Sequence, residues 1–380
     1  MKAVISKIDL LNLIGKMQSI VAAKPAIPIL GNVLLEATQD QLIVSATDLT
    51  VSMRMYVEAK VIEEGTIALP ARRFFQLIRE ITSPQIKIST KTNDVAEITT
   101  GTSVFKINGM NREEFPALPD LSGATDISFT SSILKDHFSK TAFSAARENS
   151  RYMLNGVQLK IQEQKAIFIG TDGKRLAKAF APVNLDSTVA GAYVIPLKAV
   201  EEMIKMLSES DSEVQMSLAH DKVALECGHI TLITKLLSGQ YPDVKRVIPQ
   251  SPPQSLSIHR EELISLLRQV SLFTSETSSS VRFTFEAGQL FLAAMSSDIG
   301  EGRVSMPVDY AGPKIDIAFN PYFFLDILRH SKDETIRFAF NDPHNPGLIT
   351  DSSDALFVIM PMRLNEAIAV PANPQPTSVS

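Results

Sequence analysis

Val33-Leu34-Leu35-Glu36, Val157-Gln158-Leu159-Lys160 and Val281-Arg282-Phe283-Thr284 are three short strand-like segments, with 124 residues from Val33 to Val157 and 124 from Val157 to Val281. Apolar side chains alternating with polar ones are the signature of a half-buried strand. A period this long exceeds the roughly 20–50 residues of a solenoid unit, so each copy is a domain in its own right. Three copies in a line predict a curved or closed assembly, suited to holding something.

The text around each strand repeats as well. Upstream lies a helical pattern: Ile8, Leu10, Leu11, Ile14, Met17 and Val21 in the first copy, with Ile133, Leu134, Phe138 and Phe143 in the second and Leu263, Ile264, Leu267 and Val270 in the third. Ser6 with Asp9 predicts a capping box, Thr130-Ser131-Ser132 supply cap candidates, and His259 with Glu262 form a weaker cap. Downstream, Leu42-Ile43-Val44, Ala166-Ile167-Phe168-Ile169 and Leu290-Phe291-Leu292-Ala293 are hairpin partners, each running into an Asp-bearing turn at Asp48, Asp172 or Asp298. Pro70, Pro196 and Pro321 then end a strand and open a second helix, over Ala71 to Ile81, Leu197 to Leu207 and Tyr322 to Arg329. Proline suits the first helical position because the N–H it lacks has no intrahelical partner there. Three more strands close each copy. Strands outnumber helices and hairpins outnumber crossovers, which predicts an α+β class with two helices per copy on antiparallel sheet. Turn-rich stretches at Glu114–Asp120 and Val247–Pro253 divide the chain into 1–121, 122–250 and 251–364, followed by a Pro-rich polar tail, 365–380, expected to be disordered.

Hydrophobic residues make up 44% of the chain, enough for each copy to bury a core. The single cysteine, Cys227, excludes a disulfide framework and points to the cytoplasm, and a lone buried thiol accounts for it. No apolar run reaches the roughly 18 residues of a membrane span, and the N-terminus carries no signal-peptide pattern. The formal net charge of −5 argues against a protein that grips nucleic acid over its whole surface, while leaving room for a local basic face.

No catalytic constellation emerges. His137, His220, His229, His259, His330 and His344 show no metal-ligand spacing, and no metalloprotease, redox, nucleophile-elbow or phosphate-loop pattern occurs. No cofactor or metal is expected. Thr171-Asp172-Gly173-Lys174-Arg175 could cradle an anion, but Asp-Gly is first a hairpin-turn signal and no glycine-rich loop surrounds it. The three turn aspartates occupy separate copies, too far apart for paired-carboxylate chemistry, so turn capping is the stronger reading. Basic side chains recur on the helices, but Glu80, Glu201, Glu202, Glu261 and Asp326 share those helices, so a solvated face explains the charge equally well.

Several motifs in order resolve this. Pro28-Ile29-Leu30-Gly31-Asn32, Leu154-Asn155-Gly156, Thr171 through Leu176, Tyr241-Pro242-Asp243, Arg246-Val247, Phe319-Asn320 and Met360-Pro361-Met362-Arg363-Leu364 together resemble the bacterial DNA polymerase sliding clamp family, the beta subunit of the replicative DNA polymerase III holoenzyme. Each motif is weak alone, but the series covers 1–364 with the three-copy layout intact. The resemblance implies a head-to-tail homodimer, a closed ring of six domains around duplex DNA, helices lining the hole and sheets outside. Such a ring is a processivity factor and not an enzyme; a separate loader opens it. Retention by topology reconciles the acidic chain with DNA binding, because a sliding protein must avoid both base readout and a dense phosphate grip.

The resemblance also implies sites. A partner-peptide pocket would be built from Arg151, Leu154, Thr171, Gly173, Lys174, Arg175, Leu176, Pro242, Val247, Asn320, Phe323, Pro346, Val358, Met360, Pro361, Met362 and Arg363. DNA would face Lys24, Arg72, Arg73, Arg79, Lys135, Lys140, Arg147, Arg151, Tyr152, Lys198 and Lys205. Phe105, Ile107, Leu272 and Phe273 would meet across the dimer. Expected partners are the polymerase alpha subunit, clamp-loader subunits, other polymerases and repair proteins, all presenting short linear motifs. Lys174 stands where members commonly have His, and the 365–380 tail begins beside the pocket, where it could brush or occlude it. The alternatives are a β-rich interaction scaffold without nucleic acid and a hydrolase using the Asp turns.

Overall fold

The computed structural model describes residues 1–363 except 23, 92, 149–150, 184–189, 251 and 276–278. Leu364 and the tail 365–380 lie outside the described residues. The first copy runs β1 (Lys2–Ser6), α1 (Lys7–Met17), β2 (Asn32–Thr38), β3 (Gln41–Thr47), β4 (Val51–Glu58), β5 (Lys60–Glu63), β6 (Gly65–Pro70), α2 (Ala71–Glu80), β7 (Gln85–Lys91), β8 (Val95–Thr100) and β9 (Ser103–Asn108). The second runs β10 (Thr125–Thr130), α3 (Ser131–Ala142), β11 (Gly156–Gln162), β12 (Lys165–Thr171), β13 (Arg175–Pro182), β14 (Gly191–Pro196), α4 (Leu197–Met206), β15 (Glu213–Leu218), β16 (Lys222–Cys227) and β17 (Ile230–Lys235). The third runs β18 (Gln254–His259), α5 (Arg260–Ser271), β19 (Val281–Glu286), β20 (Gln289–Ser296), β21 (Gly300–Pro307), β22 (Ile315–Phe319), α6 (Pro321–His330), β23 (Thr335–Phe340), β24 (Gly347–Thr350) and β25 (Ala355–Ile359). The α+β class, with two helices per copy and antiparallel pairing, is as the sequence predicts.

Three local expectations need correction. Each copy opens with a strand, β1, β10 or β18, that runs without a break into its helix. Ser6 stands at the first N-cap but its side chain makes no capping bond; the neighbouring Lys7 N–H is already satisfied by the Pro84 carbonyl at 2.8 Å. The weaker third cap does form, with His259 Nδ1 accepting from Glu262 N–H at 3.3 Å. Pro321 is the first helical residue, whereas Pro70 and Pro196 sit one position earlier, where each also ends a strand.

The described residues form two compact units. The first holds 1–138, 158–166 and 182–239; the second holds 139–157, 167–181 and the chain from Gln240 onward. The second copy contributes to both, because sheets run across copies. In the first unit a five-stranded sheet has the order β5-β1-β7-β8-β9, and an eight-stranded sheet has the order β10-β15-β16-β17-β4-β3-β2-β6. There β17, the last strand of the second copy, pairs antiparallel with β4, from Ile230↔Met55 to Thr234↔Val51. In the second unit β25, the last strand of the third copy, pairs with β13 from Arg175↔Ile359 to Ala179↔Ala355, and β24, β23 and β18 continue the sheet. A four-stranded sheet, β21-β20-β19-β22, completes that unit. The two cross-copy joints are equivalent: each links the last strand of one copy to the third strand after the first helix of the preceding copy.

Amphipathic helices cover the sheets. Leu10, Leu13, Ile14 and Met17 of α1 are buried, as are Phe74 and Ile78 of α2. In the second unit α5 and α6 press Leu263, Leu267, Phe324 and Leu328 onto an aromatic core in which Phe283 stacks on Phe324 at 4.9 Å. Gly170 of β12 marks a close approach: a Cβ there would lie 2.1 Å from the Thr141 carbonyl oxygen at the end of α3.

Candidate functional site

The turn between β12 and β13 is the seed of a cleft in the second unit. Thr171 Oγ1 donates to the Arg175 carbonyl at 2.6 Å and accepts from Gly173 N–H at 3.1 Å. Asp172 Oδ1 accepts from Lys174 N–H at 2.8 Å and Arg175 N–H at 3.0 Å, so it caps the turn. Gly173 takes φ +88°, a left-handed conformation in which a Cβ is strained. The Arg175 side chain then points inward. Its Nε reaches Asp172 Oδ2 at 3.1 Å, its Nη1 reaches Asp326 Oδ2 at 2.6 Å, and its guanidinium lies 4.6 Å from the Phe323 ring centroid. Phe143, also under the guanidinium, stacks on His330 at 4.4 Å. Burial pushes the His330 pKa below its usual value, against the bond from its Nδ1 to the Asp326 carbonyl at 2.7 Å. Tyr241 donates to the Ile169 carbonyl at 3.3 Å, and burial drives its phenol pKa up.

On this floor sits a cavity of about 170 Å³. Ten of the expected residues line it: Arg151, Leu154, Thr171, Gly173, Arg175 and Leu176, with Pro242, Val247, Val358 and Met360. The other seven do not line it. Lys174 offers its carbonyl to Met360 N–H at 2.9 Å while its side chain is exposed. Asn320 caps α6 by accepting from Tyr322 N–H at 3.0 Å. Phe323 supports Arg175 from below. Met362 N–H bonds to the Ala318 carbonyl at 2.7 Å, and Pro346, Pro361 and Arg363 also lie outside the lining. Asp243 and Val244 line the cavity without having been anticipated; the quoted motif Tyr241-Pro242-Asp243 was the available signal. The walls are mainly apolar with Arg151 and Arg175 as polar handles, which suits capture of one or two apolar side chains.

Two sheet edges form a second feature. β9 ends the five-stranded sheet and is exposed over nearly its whole length, with Phe105 38% and Val104 56% exposed and Ile107 half-buried. A groove of about 830 Å³ runs beside it, lined in part by Val21, Pro25, Leu77, Phe105 and Ile107. β21 ends the four-stranded sheet. Close to it, Phe273 packs over Gly302, and Leu272 stands 72% exposed after α5.

The basic candidates divide. In the first unit Lys24, Arg72, Arg73, Arg79, Lys198 and Lys205 are exposed and Lys135 is half-buried. Four of them are held by acids: Arg79 by Glu80, Lys135 by Glu209, Lys198 by Asp48 and Lys205 by Glu202. In the second unit Arg147, Arg151 and Tyr152 are exposed. Lys140 corrects the expectation: it is only 6% exposed, on the inner side of α3. It contributes to holding the Asp333 carboxyl below its usual pKa, after the larger effects of the two Ser352 hydrogen bonds. Among the described residues no cluster of three or more His, Cys, Asp or Glu is placed to hold a metal, and no helix is long and apolar enough to cross a membrane.

Comparison with known proteins adds three ordered family matches: DNA polymerase III beta subunit N-terminal domain over residues 1–119, central domain over 128–243 and C-terminal domain over 245–363. The beta sliding clamp of Chlamydia muridarum (strain MoPn / Nigg) is 50% identical over 366 residues, covering 96% of this chain and all of that protein. The crystal structure of the DNA polymerase III subunit beta from Pseudomonas aeruginosa superposes with a TM-score of 0.92 at 27% identity, over 96% of this chain and 100% of that one. The sliding clamp from Bacillus subtilis has the same fold, with a TM-score of 0.92 at 24% identity and the same coverage.

Proposed function

The chain belongs to the DNA polymerase III beta subunit family, the sliding clamps, and from that premise we propose a dimeric ring that encircles duplex DNA and docks its partners in the Arg175 cleft. It is a DNA sliding clamp: a processivity factor, not itself catalytic, whose family implies DNA and polymerase partners and dimer formation. The ordered match of all three family domains across residues 1–363 carries this function. The domain division we adopt is 1–121, 122–250 and 251–364.

Strand pairing supports the dimer reading. Within the chain, β17 joins β4 and β25 joins β13 by the same relation. Applied to the free ends, that relation pairs β9, the last strand of the first copy, with β21, the third strand after the first helix of the third. Both are sheet edges, and exposed edges are a liability unless another chain covers them. Head-to-tail pairing covers both and seats Leu272 of one chain in the groove beside β9 of the other; burying that side chain is worth about 2 kcal/mol. Leu272→Ala with Phe273→Ala yields monomers in light scattering; an unchanged mass overturns the assignment.

The cavity admits an apolar side chain, and Met360 in its lining can repack for different ligands. Polymerase alpha, clamp-loader subunits and repair proteins would each insert the leucine or phenylalanine of a short motif there. Lys24, Arg72, Arg73, Arg147, Arg151 and Tyr152 are among the exposed candidates for DNA contact, and the acid-held lysines would soften any phosphate grip, as sliding requires. Loading onto nicked circular DNA with the loader and ATP, followed by linearisation, tests the reading. Release from the linear form is expected; retention at unchanged occupancy sinks it. The reading places the protein in the cytoplasm with the replication machinery.

A further inference from the structure

One face of the eight-stranded sheet in the first unit carries a cavity of about 380 Å³, and none of its lining residues belongs to the sites described above. Register builds its floor. Leu34 on β2 stands opposite Ser45 on β3, and Ser45 stands opposite Arg54 on β4. Directly opposed residues on one face keep their Cβ atoms about 4.5–5.5 Å apart, so the three form one transverse row. The wall is the segment after β9 and it is preformed: Asn111 Oδ1 accepts from Glu113 N–H at 3.0 Å, and Phe115 N–H bonds to the Arg112 carbonyl at 2.9 Å. The Phe115 ring is buried against Leu34 and Leu30.

Among the described residues, two groups in the row have no protein partner. Ser45 is 1% exposed, yet its buried hydroxyl has no hydrogen-bond partner. A buried hydroxyl without a partner is destabilising, so a native one calls for an explanation. Arg54 is exposed and has no ion pair among the described residues, whereas Arg112 is already held by Glu36 at 2.8 Å. A free guanidinium and an orphaned hydroxyl therefore stand side by side on an apolar surface that Leu118 extends.

We propose that this cavity binds an apolar carboxylate. The carboxylate accepts from the Arg54 guanidinium and from the Ser45 hydroxyl, and its hydrocarbon body lies on Leu34, Phe115 and Leu118. A planar carboxylate matches the guanidinium fork. A single negative charge also fits better than a phosphate dianion, because Glu36 and Glu113 border the site and only Arg54 is uncommitted. The carboxylate is that of a free acid or of a Glu or Asp side chain in a peptide. This assignment does not depend on the clamp reading.

Saturation-transfer NMR on the full chain tests it with three probes: 4-phenylbutyrate, its neutral amide, and the capped peptide acetyl-Phe-Glu-Leu-amide. The acid or the peptide is expected to bind, with the amide about tenfold weaker or more; whichever carboxylate binds identifies the source. Arg54→Gln and Ser45→Ala each weaken binding about tenfold. Ser45→Ala leaves the Tm unchanged or raised, because it deletes an unpaired buried hydroxyl, so loss of binding there is not loss of fold. Binding of the amide as tightly as the acid, binding by neither carboxylate, or wild-type affinity in both variants overturns the proposal.

Discussion

Thr47-Asp48-Leu49 and Thr171-Asp172-Gly173 are the same turn in successive copies, and they do different work. Both are built alike. The Thr hydroxyl accepts from the N–H two residues on, at 3.0 Å from Leu49 and 3.1 Å from Gly173. One Asp oxygen caps the N–H groups two and three residues on in each. Both third residues are left-handed, Leu49 at φ +72° and Gly173 at φ +88°. The second Asp oxygen separates them. Asp48 Oδ2 holds the half-exposed Lys198 at 2.5 Å, a surface pair. Asp172 Oδ2 holds Arg175, whose side chain is 12% exposed and bridges to Asp326 beneath the cleft. A turn is specified locally; whether it becomes the floor of a binding site depends on what its spare oxygen is given to hold.

The largest expected effect breaks that contrast at the cations. Arg175→Ala strands two part-buried carboxylates and costs about 3 kcal/mol in urea unfolding, whereas Lys198→Ala costs less than about 1 kcal/mol because its pair is screened by water. Equal losses would erase the distinction. Arg175→Ala should also abolish binding of a partner peptide while Lys198→Ala leaves it intact.

The turn glycine comes next. Gly173→Ala forces a Cβ into left-handed backbone and should cost about 1–2 kcal/mol with a matching drop in Tm. An unchanged Tm would mean that the turn relaxes to another conformation.

A smaller effect follows pH. Burial holds the folded-state pKa of His330 below the ordinary histidine value of about 6.5. The unfolded chain therefore takes up the proton first as pH falls. The stability that neutral His330 contributes is complete above about pH 6.5 and is lost as pH drops from there through the folded-state pKa. His330→Gln should flatten the pH dependence of unfolding below that point, and an identical profile would show that the ring beneath Arg175 does not titrate with folding. The smallest effect is in the first turn, where Leu49→Gly relieves the left-handed strain and should stabilise by about 0.5 kcal/mol, read as a slight rise in Tm.

Legibility in the sequence follows the range of the forces involved. The Asp turns, the hairpins and the helix at Ala71–Glu80 were readable because their determinants lie within a few residues. β1, β10 and β18 were missed because each is only five or six residues long and merges into the helix it precedes. Ser6 matched a capping pattern, but what satisfies the neighbouring Lys7 N–H is a carbonyl 77 residues away, at Pro84. Lys140 looks like any helical lysine in the text; only packing buries it. Most of the cleft lining was legible through the family motifs; Asp243 lies in the Tyr241-Pro242-Asp243 motif without having been singled out, while Val244 sits in an aperiodic connection that carries no pattern of its own.

By itself the sequence determined the threefold repeat, the α+β class and the turn chemistry, since alternation, helical spacing and Asp-Gly preferences act over short stretches of chain. Only the tertiary structure decided that β17 joins β4 and β25 joins β13, so that sheets cross the boundaries of the copies and the compact units do not coincide with the copies. It alone left β9 and β21 as sheet edges, brought Asp326 to Arg175, and set an unpaired Ser45 beside Arg54. The physical reason is that backbone hydrogen bonding and desolvation are satisfied between residues a hundred or more positions apart, and no local pattern encodes which distant partner satisfies them.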